Sequence, residues 1–467
     1  MKDNTLVFSD YKIPKAVATL ALPSMLGMLI NIVYNLADTF FVGQTGDANQ
    51  VSAVSVAMPL FLFFLAIGNL FGVGGCAFIS RSLGEGKRDK IKTISSFCIY
   101  TGIAVSIAFA ILFLLFRRPV LYLVGASDAS IGFASDYLFW VALGAPFIVS
   151  SIMTGNLIRG EGAAKQSMLG MVIGQLVNIV LDPIFILGSG DSLFGFTLPF
   201  GLGKGVAGAA IATVLGNIVS VLYFLSYFLR GKSILSITPS RFSAKGGILK
   251  GVISVGAPAA LNNLLMSLSN IVINMFLSHY GDEAIAAMGV AMKANMLVVM
   301  LQLGLAQGIQ PLVGYCYGAK NYTRMKKSIR FSMLCNIAIG ATVTVIYIFA
   351  RRQVIGSFIE NEKVIEYGVK MLTALMSSGA LLGVMFIINF SFQGMGKGFQ
   401  SLFLAVGRQG LIYLPLLFIM DNIIGLEGLI WAQPAADFVC IIASLIMYKT
   451  VLNKLERSKL GERYEQQ

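Results

Sequence analysis

Twelve apolar runs, each long enough to cross a bilayer, constrain this chain more than any other feature. They lie at about 16–41, 51–80, 93–116, 131–156, 166–188, 206–229, 251–278, 285–315, 328–350, 364–390, 401–420 and 428–449. A helix of roughly 20 apolar residues spans the hydrocarbon core, whereas a barrel strand needs only about 9–11. Inside lipid every backbone N–H and C=O must find a partner within the protein, so runs of this length read as helices. The expectation is an all-α polytopic membrane protein with twelve transmembrane helices. Composition excludes a soluble globule: 56% of residues are hydrophobic and only 12% charged, with a mean hydropathy of +0.79, which leaves too little polar surface to cover the fold. Pro23, Pro59, Pro146, Pro183, Pro258, Pro311, Pro415 and Pro434 fall inside the runs. Membrane helices tolerate them and kink there.

The net charge of +13 does not point to nucleic acid, because the basic residues sit in short loops where they meet headgroups and set orientation. With the N-terminus inside, 26 Lys and Arg fall in cytoplasmic segments and 6 in external ones. Both termini are therefore expected in the cytoplasm, in a multi-pass protein of the cell membrane, by type a bacterial cytoplasmic membrane. The first apolar run continues to Phe41, too long for a signal peptide core, and is read as a retained span. Cys76, Cys98, Cys316, Cys335 and Cys440 are scattered along apolar sequence, and His279 is the single histidine. Neither pattern forms a disulfide framework or a metal motif. No nucleophile–base arrangement is present, so the chain reads as a non-enzymatic, monomeric membrane protein without a cofactor. Its partners are the lipid bilayer and a small organic molecule.

The chain repeats itself. Pro23 and Pro258, and Gly46-Asp47 and Gly281-Asp282, are displaced by 235 residues; Gly84 and Gly318, and Gly160 and Gly394, by 234; Gly208 and Gly428 by 220. The first half thus carries 14 extra residues between its fifth and sixth spans, around 191–201, expected as an external hairpin-like loop. Two six-helix halves follow, residues 1–229 and 251–467, joined by a polar cytoplasmic linker at 230–250. Each half starts and ends on the same side, so their pseudo-two-fold axis runs along the membrane normal, as in secondary transporters with parallel repeats.

Two polar stretches interrupt the apolar runs. Asn31, Tyr34, Asn35 and Asp38 lie in span 1, and Gln175, Asn178 and Asp182 in span 5. Each stretch ends in a carboxylate, which costs about 2.5–3.5 kcal/mol at the bilayer centre and marks a functional site. No Lys or Arg lies in spans 1–6 away from their ends. Two carboxylates brought together without a basic partner would hold either a proton or a hard cation such as Na⁺. In the second half Lys293, Arg408 and Asp437 lie at depth. They are read either as an internal ion pair or, together with Asn35, Asn156 and Gln175, as a polar wall of a substrate cavity. Gly84-Glu85-Gly86-Lys87 lacks the spacing of a phosphate loop, so transport would run on an ion gradient.

These residues also carry a resemblance. Pro23 and Asn35-Leu36-Ala37-Asp38 in span 1, Gly84-Glu85-Gly86-Lys87 after span 2, Arg159-Gly160-Glu161-Gly162 after span 4, Asn178 with Asp182-Pro183 in span 5, and Gln310-Pro311 with Gly314 and Gly318 in span 8 resemble, in this order, the MATE (multidrug and toxic compound extrusion) family. The resemblance covers essentially the whole chain and is nearest the DinF-like or MepA-like branch. It implies a multidrug efflux antiporter that exports cationic or amphipathic organic compounds in exchange for H⁺ or Na⁺. The coupling site would be Asp38, Asn178 and Asp182, with Tyr34 and Thr213 added; the first three are the metal ligands if Na⁺ is the ion. Another branch uses a glutamate in span 7, but here span 7 carries Asn262, Asn263, Ser267, Asn270 and Asn274 and no acid. Rival readings are a lipid or lipid-linked oligosaccharide flippase of the same superfamily, and a major-facilitator transporter, whose loop after span 2 would show a different basic motif.

Overall fold

A computed structural model describes residues 5–190, 192–193, 196–197 and 200–464. Among the described residues twelve helices are long and apolar enough to cross a membrane: span 1, Ile13–Gly43; span 2, Asn49–Gly84; span 3, Arg88–Leu115; span 4, Ile131–Gly160; span 5, Ala164–Ile186; span 6, Gly205–Leu229; span 7, Ile248–Tyr280; span 8, Asp282–Gly318; span 9, Tyr322–Gly356; span 10, Glu362–Met395; span 11, Gly398–Ile424; and span 12, Leu426–Arg457. The fold is all-α, as the apolar runs require. Among the extra residues of the first half, Ser192 pairs antiparallel with Thr197 and Leu193 with Phe196; residues 191, 194–195 and 198–199 of the expected loop lie outside the described residues.

Several helices outlast their apolar runs, because hydropathy reports the lipid slab while the helix continues into the headgroup layer. Spans 2 and 8 end instead on backbone geometry. Gly86 (φ 72°) and Lys320 (φ 54°) are left-handed, and the next N–H in each case reaches back, Lys87 to the Ser82 carbonyl and Asn321 to the Cys316 carbonyl, both at 2.9 Å. This is the hydrogen bond that closes a Schellman turn. The two turns are repeat mates, 234 residues apart.

The repeat is visible in packing. Span 1 packs on 5, 2 on 3 and 4, 3 on 4, 4 on 5 and 6, and 5 on 6. In the second half 7 packs on 11, 8 on 9 and 10, 9 on 10, 10 on 11 and 12, and 11 on 12. The halves meet through span 2 on span 7, span 1 on span 8 and span 2 on span 8.

Glycines make those crossings possible. A methyl group added at Gly84 would press into the Tyr315 carbonyl, and one at Gly318 into the Arg81 carbonyl. These are the same contact seen from each side of the pseudo-two-fold. Gly74 against Val252, Gly256 against Leu70, Gly304 against Met25 and Gly308 against Ala21 make further close approaches between the halves. Every one of these glycines lies in the half of its span nearest the face that carries the termini. At the other end a methyl group at Gly43 or Gly289 would meet nothing within 4 Å. The halves are therefore closed on the terminal face and part toward the opposite one.

The linker is mostly docked on the first half. Buried Glu161, at the end of span 4, accepts from the Tyr227 hydroxyl at 2.9 Å, the Ser233 hydroxyl at 2.8 Å and the Ile234 N–H at 2.9 Å. Tyr100 of span 3 donates to the Ile237 carbonyl at 2.6 Å, and Ser96 to those of Ser236 and Thr238. Phe242 stacks on Phe97. Beyond it the chain turns through two left-handed glycines, Gly246 and Gly247, into span 7.

Two outcomes follow. Gly318→Leu overpacks the crossing of spans 2 and 8, at a cost of about 1–3 kcal/mol, and lowers the Tm in detergent by several degrees. Gly43→Leu does not, and equal Tm values for the two variants would refute the closed crossing. Burial pushes the Glu161 carboxyl up from its ordinary 4.5 to about 7. The folded protein thus holds a proton there that the unfolded chain releases, so this contribution to stability is full below about pH 4.5 and is lost as pH rises toward 7. Glu161→Gln flattens that decline in thermal melts taken between pH 4.5 and 8; an unchanged slope would count against it.

Candidate functional site

The first polar stretch lies on a continuous span 1, with Asp38 one turn beyond Tyr34. In span 5 Asn178 and Asp182 are one turn apart, and both are buried. Span 6 brings Thr213, also buried. A local feature makes the last contact possible: Gly174 of span 5 and Gly216 of span 6 pack backbone against backbone, so neither position has room for a side chain. Asn178 consequently lies between spans 5 and 6. The amide orientation that satisfies both of its ends donates to Asp182 Oδ2 at 3.1 Å and accepts from the Thr213 N–H at 2.9 Å. The Tyr34 hydroxyl is in hydrogen-bonding reach of Thr213, and Asp38 and Asp182 are close enough to repel each other directly.

The structure thus brings together all five residues expected to couple the ion, Tyr34, Asp38, Asn178, Asp182 and Thr213. It adds one that no sequence motif marks: buried Tyr137 of span 4, which lies near Asp38, Tyr34 and Asp182. A tyrosine in an apolar helix carries no motif, and only the packing of span 4 against spans 5 and 6 reveals it. Two carboxylates, an amide, a threonine and two phenols form a small set of oxygen donors. Such a set can share a proton or surround a small hard cation.

The expected cavity residues fare differently. Asn35 bonds back to Asn31 within its own helix, at 2.6 Å to the carbonyl. Gln175, one turn before Asn178, keeps its side-chain oxygen buried and unpartnered. Asn156 does not belong to a cavity wall. It lies near the terminal-face end of span 4 and packs against Gly72 of span 2, its amide oxygen taken by Arg159. Arg408 and Asp437 are not wall residues either. They form an internal ion pair at 2.8 Å, and Asp437 also accepts from Ser378 at 3.0 Å and Gln433 at 2.9 Å. Arg408 lies in a π-helical turn, Gly407–Leu411, that interrupts span 11. Such turns re-aim a side chain inside a helix, and here the turn aims Arg408 at span 12. Lys293 is exposed in span 8.

The family model described as MatE matches the chain twice, over residues 23–184 and 258–419. The chain belongs to the MatE family. The two matches are displaced by the 235 residues of the repeat. The Multidrug export protein MepA of Staphylococcus saprophyticus is 32% identical over 460 residues, 98% of this chain and 99% of that protein. Among solved structures, MATE in the straight conformation matches with a TM-score of 0.90 at 26% identity, over 98% of this chain and 99% of that one. The outward-facing conformation of a multidrug resistance MATE family transporter matches at 0.89, with the same identity and coverage.

Asn178→Leu removes the amide between Asp182 and Thr213 without breaking span 5. If that amide helps to hold a cation, the Tm rise of the purified protein on adding Na⁺, or on lowering the pH, shrinks at least twofold, since ligand stabilisation follows affinity. A wild-type response in the variant would remove Asn178 from the site.

Proposed function

We propose that this protein is a multidrug efflux antiporter, moving amphipathic organic compounds out of the cell in exchange for H⁺ or Na⁺. The cluster of Asp38, Asp182, Asn178, Thr213 and Tyr34 in one half carries this reading: two carboxylates facing each other at membrane depth, with no basic residue in these spans away from their ends. The full-length likeness to a protein named for multidrug export supports the direction and the substrate breadth.

With the termini in the cytoplasm, as the distribution of Lys and Arg favours, the closed face is cytoplasmic and the cleft opens outward. An ion entering from outside binds between spans 1, 5 and 6. Holding both carboxylates at once draws Asp38 toward Asp182 and tilts the outer part of span 1. Pro23, which removes one backbone hydrogen bond from that helix, is the point about which it bends. Substrate is expelled, and the halves then rock about the glycine crossings to open inward. A flippase of the same superfamily would call for a cationic central cavity, to which Lys293 and Arg408 could contribute, and Arg408 is neutralised by Asp437 within the second half.

The test is dye efflux in everted vesicles under imposed pH or Na⁺ gradients. Asp38→Asn and Asp182→Asn each abolish ion-driven export and drug resistance while the protein still reaches the membrane. Wild-type transport in both variants would sink the mechanism.

A further inference from the structure

The glycine contacts fix which face of each helix looks across the cleft, and following those faces outward shows what lines it. A helix turns about 100° per residue. On span 8, Gly304 and Gly308 meet span 1. Eleven residues toward the open end of the same helix is a rotation of only ~20° from Gly304, and that position is Lys293, which is exposed. Gly289, one further turn out, has open space beside it. On span 7 the contact with span 2 is made at Val252 and Gly256. From Gly256 the positions within ~40° of the same face are Asn263, Ser267, Asn270 and Asn274, none of them buried. The side of span 7 that enters the second half is the one carrying Ser269, ~140° from Gly256, which is bonded to the Gln409 carbonyl.

The facing wall differs in chemistry. On span 1 the same construction from Ala21 and Met25 gives Ile32 and Leu36, together with Asn35 and Thr39, while Tyr34 and Asp38 turn away into the first half. One wall is therefore mostly apolar, with Asn35 and Thr39 as its polar positions. The other carries a stripe of amides and a hydroxyl, and an ammonium. Arg408 does not add to it, being paired with Asp437. Among the described residues, Lys293 is the one ionisable side chain on these faces short of the outermost turn, where Asp282 and Glu283 begin span 8.

We propose that Lys293, with Asn263, Ser267, Asn270 and Asn274, selects substrates that carry an anionic group on an apolar body. An ammonium with no carboxylate beside it repels a cationic amphiphile and attracts a carboxylate, sulfonate or phosphate. Amide N–H groups supply the hydrogen bonds, and the apolar wall takes the remainder of the molecule. This rests on the antiport reading above and narrows its substrate class, against the expectation of a cationic one.

The experiment uses the full-length protein in proteoliposomes with imposed H⁺ and Na⁺ gradients. Two fluorescent probes share one apolar dye body, one bearing a sulfonate and the other a quaternary ammonium. A third arm follows flipping of a headgroup-labelled anionic phospholipid. Wild type moves the sulfonate probe at least tenfold faster than the ammonium probe. Lys293→Glu inverts that ratio, Lys293→Arg restores it, and the Tm response to the coupling ion is the same in all three proteins. If the labelled lipid moves and Lys293→Glu stops it, the anionic group recognised is a headgroup. Faster movement of the ammonium probe by wild type, or a ratio unchanged in Lys293→Glu, overturns the anion selectivity and leaves antiport standing. No gradient-driven movement of either probe or of the lipid overturns both.

Discussion

The structure depends on backbone meeting backbone where spans 2 and 8 cross. Lipid provides no hydrophobic force to hold two helical bundles together, so they associate by close packing of small residues. Gly84 and Gly318 give that closeness, each against a carbonyl of the other helix. Because the contact is its own image under the pseudo-two-fold, one geometry serves both sides, as in an isologous dimer. Confining such contacts to the terminal face leaves the opposite end free to part. A rocking transporter needs that arrangement, with a hinge at one end and a cleft at the other.

On this symmetric scaffold the chemistry is asymmetric. The repeat mates of Asp38 and Asp182 are Ile273 and Leu416, and both pack in the apolar core of the second half. The mate of Gly174 is Arg408. In the first half the glycine lets spans 5 and 6 close up, so Asn178 can bridge Asp182 and Thr213. In the second half an arginine occupies the equivalent place and spends its charge on Asp437, within the same bundle. One half gathers two carboxylates that could hold a variable charge, while the other neutralises Arg408 and Asp437 inside and leaves Lys293 and polar groups at its surface. Such a division lets ion binding reshape one wall of the cleft while the opposite wall keeps its form.

Much of this was legible in the sequence because lipid imposes a simple rule. Backbone groups must be satisfied locally, so the apolar runs had to be helices, and the repeat dictated that the halves be alike. Asp38, Asn178 and Asp182 were legible for a related reason: acids and amides at that depth are too costly to be incidental, whereas Tyr34 and Thr213 were added by the family resemblance. What the sequence left open was the place of polar residues that have partners. Asn156 and Arg408 look alike in sequence to residues that line a cavity. Only their neighbours, Arg159 and Asp437, show that they are satisfied within their own halves. Tyr137 was missed for the opposite reason, since a phenol in an apolar helix looks like core until its neighbours are known.

The sequence by itself determined the number of spans, the doubling, the residue types of the candidate ion cluster and the absence of its acids from the second half. These are properties of residue type and spacing along single helices. Tertiary structure alone decided which polar groups meet across helices, that Arg408 is silenced while Lys293 stays free in span 8, and which face the halves close. Those outcomes depend on rotation and approach between helices many residues apart, which glycine contacts of a few ångströms set and no one-dimensional pattern encodes.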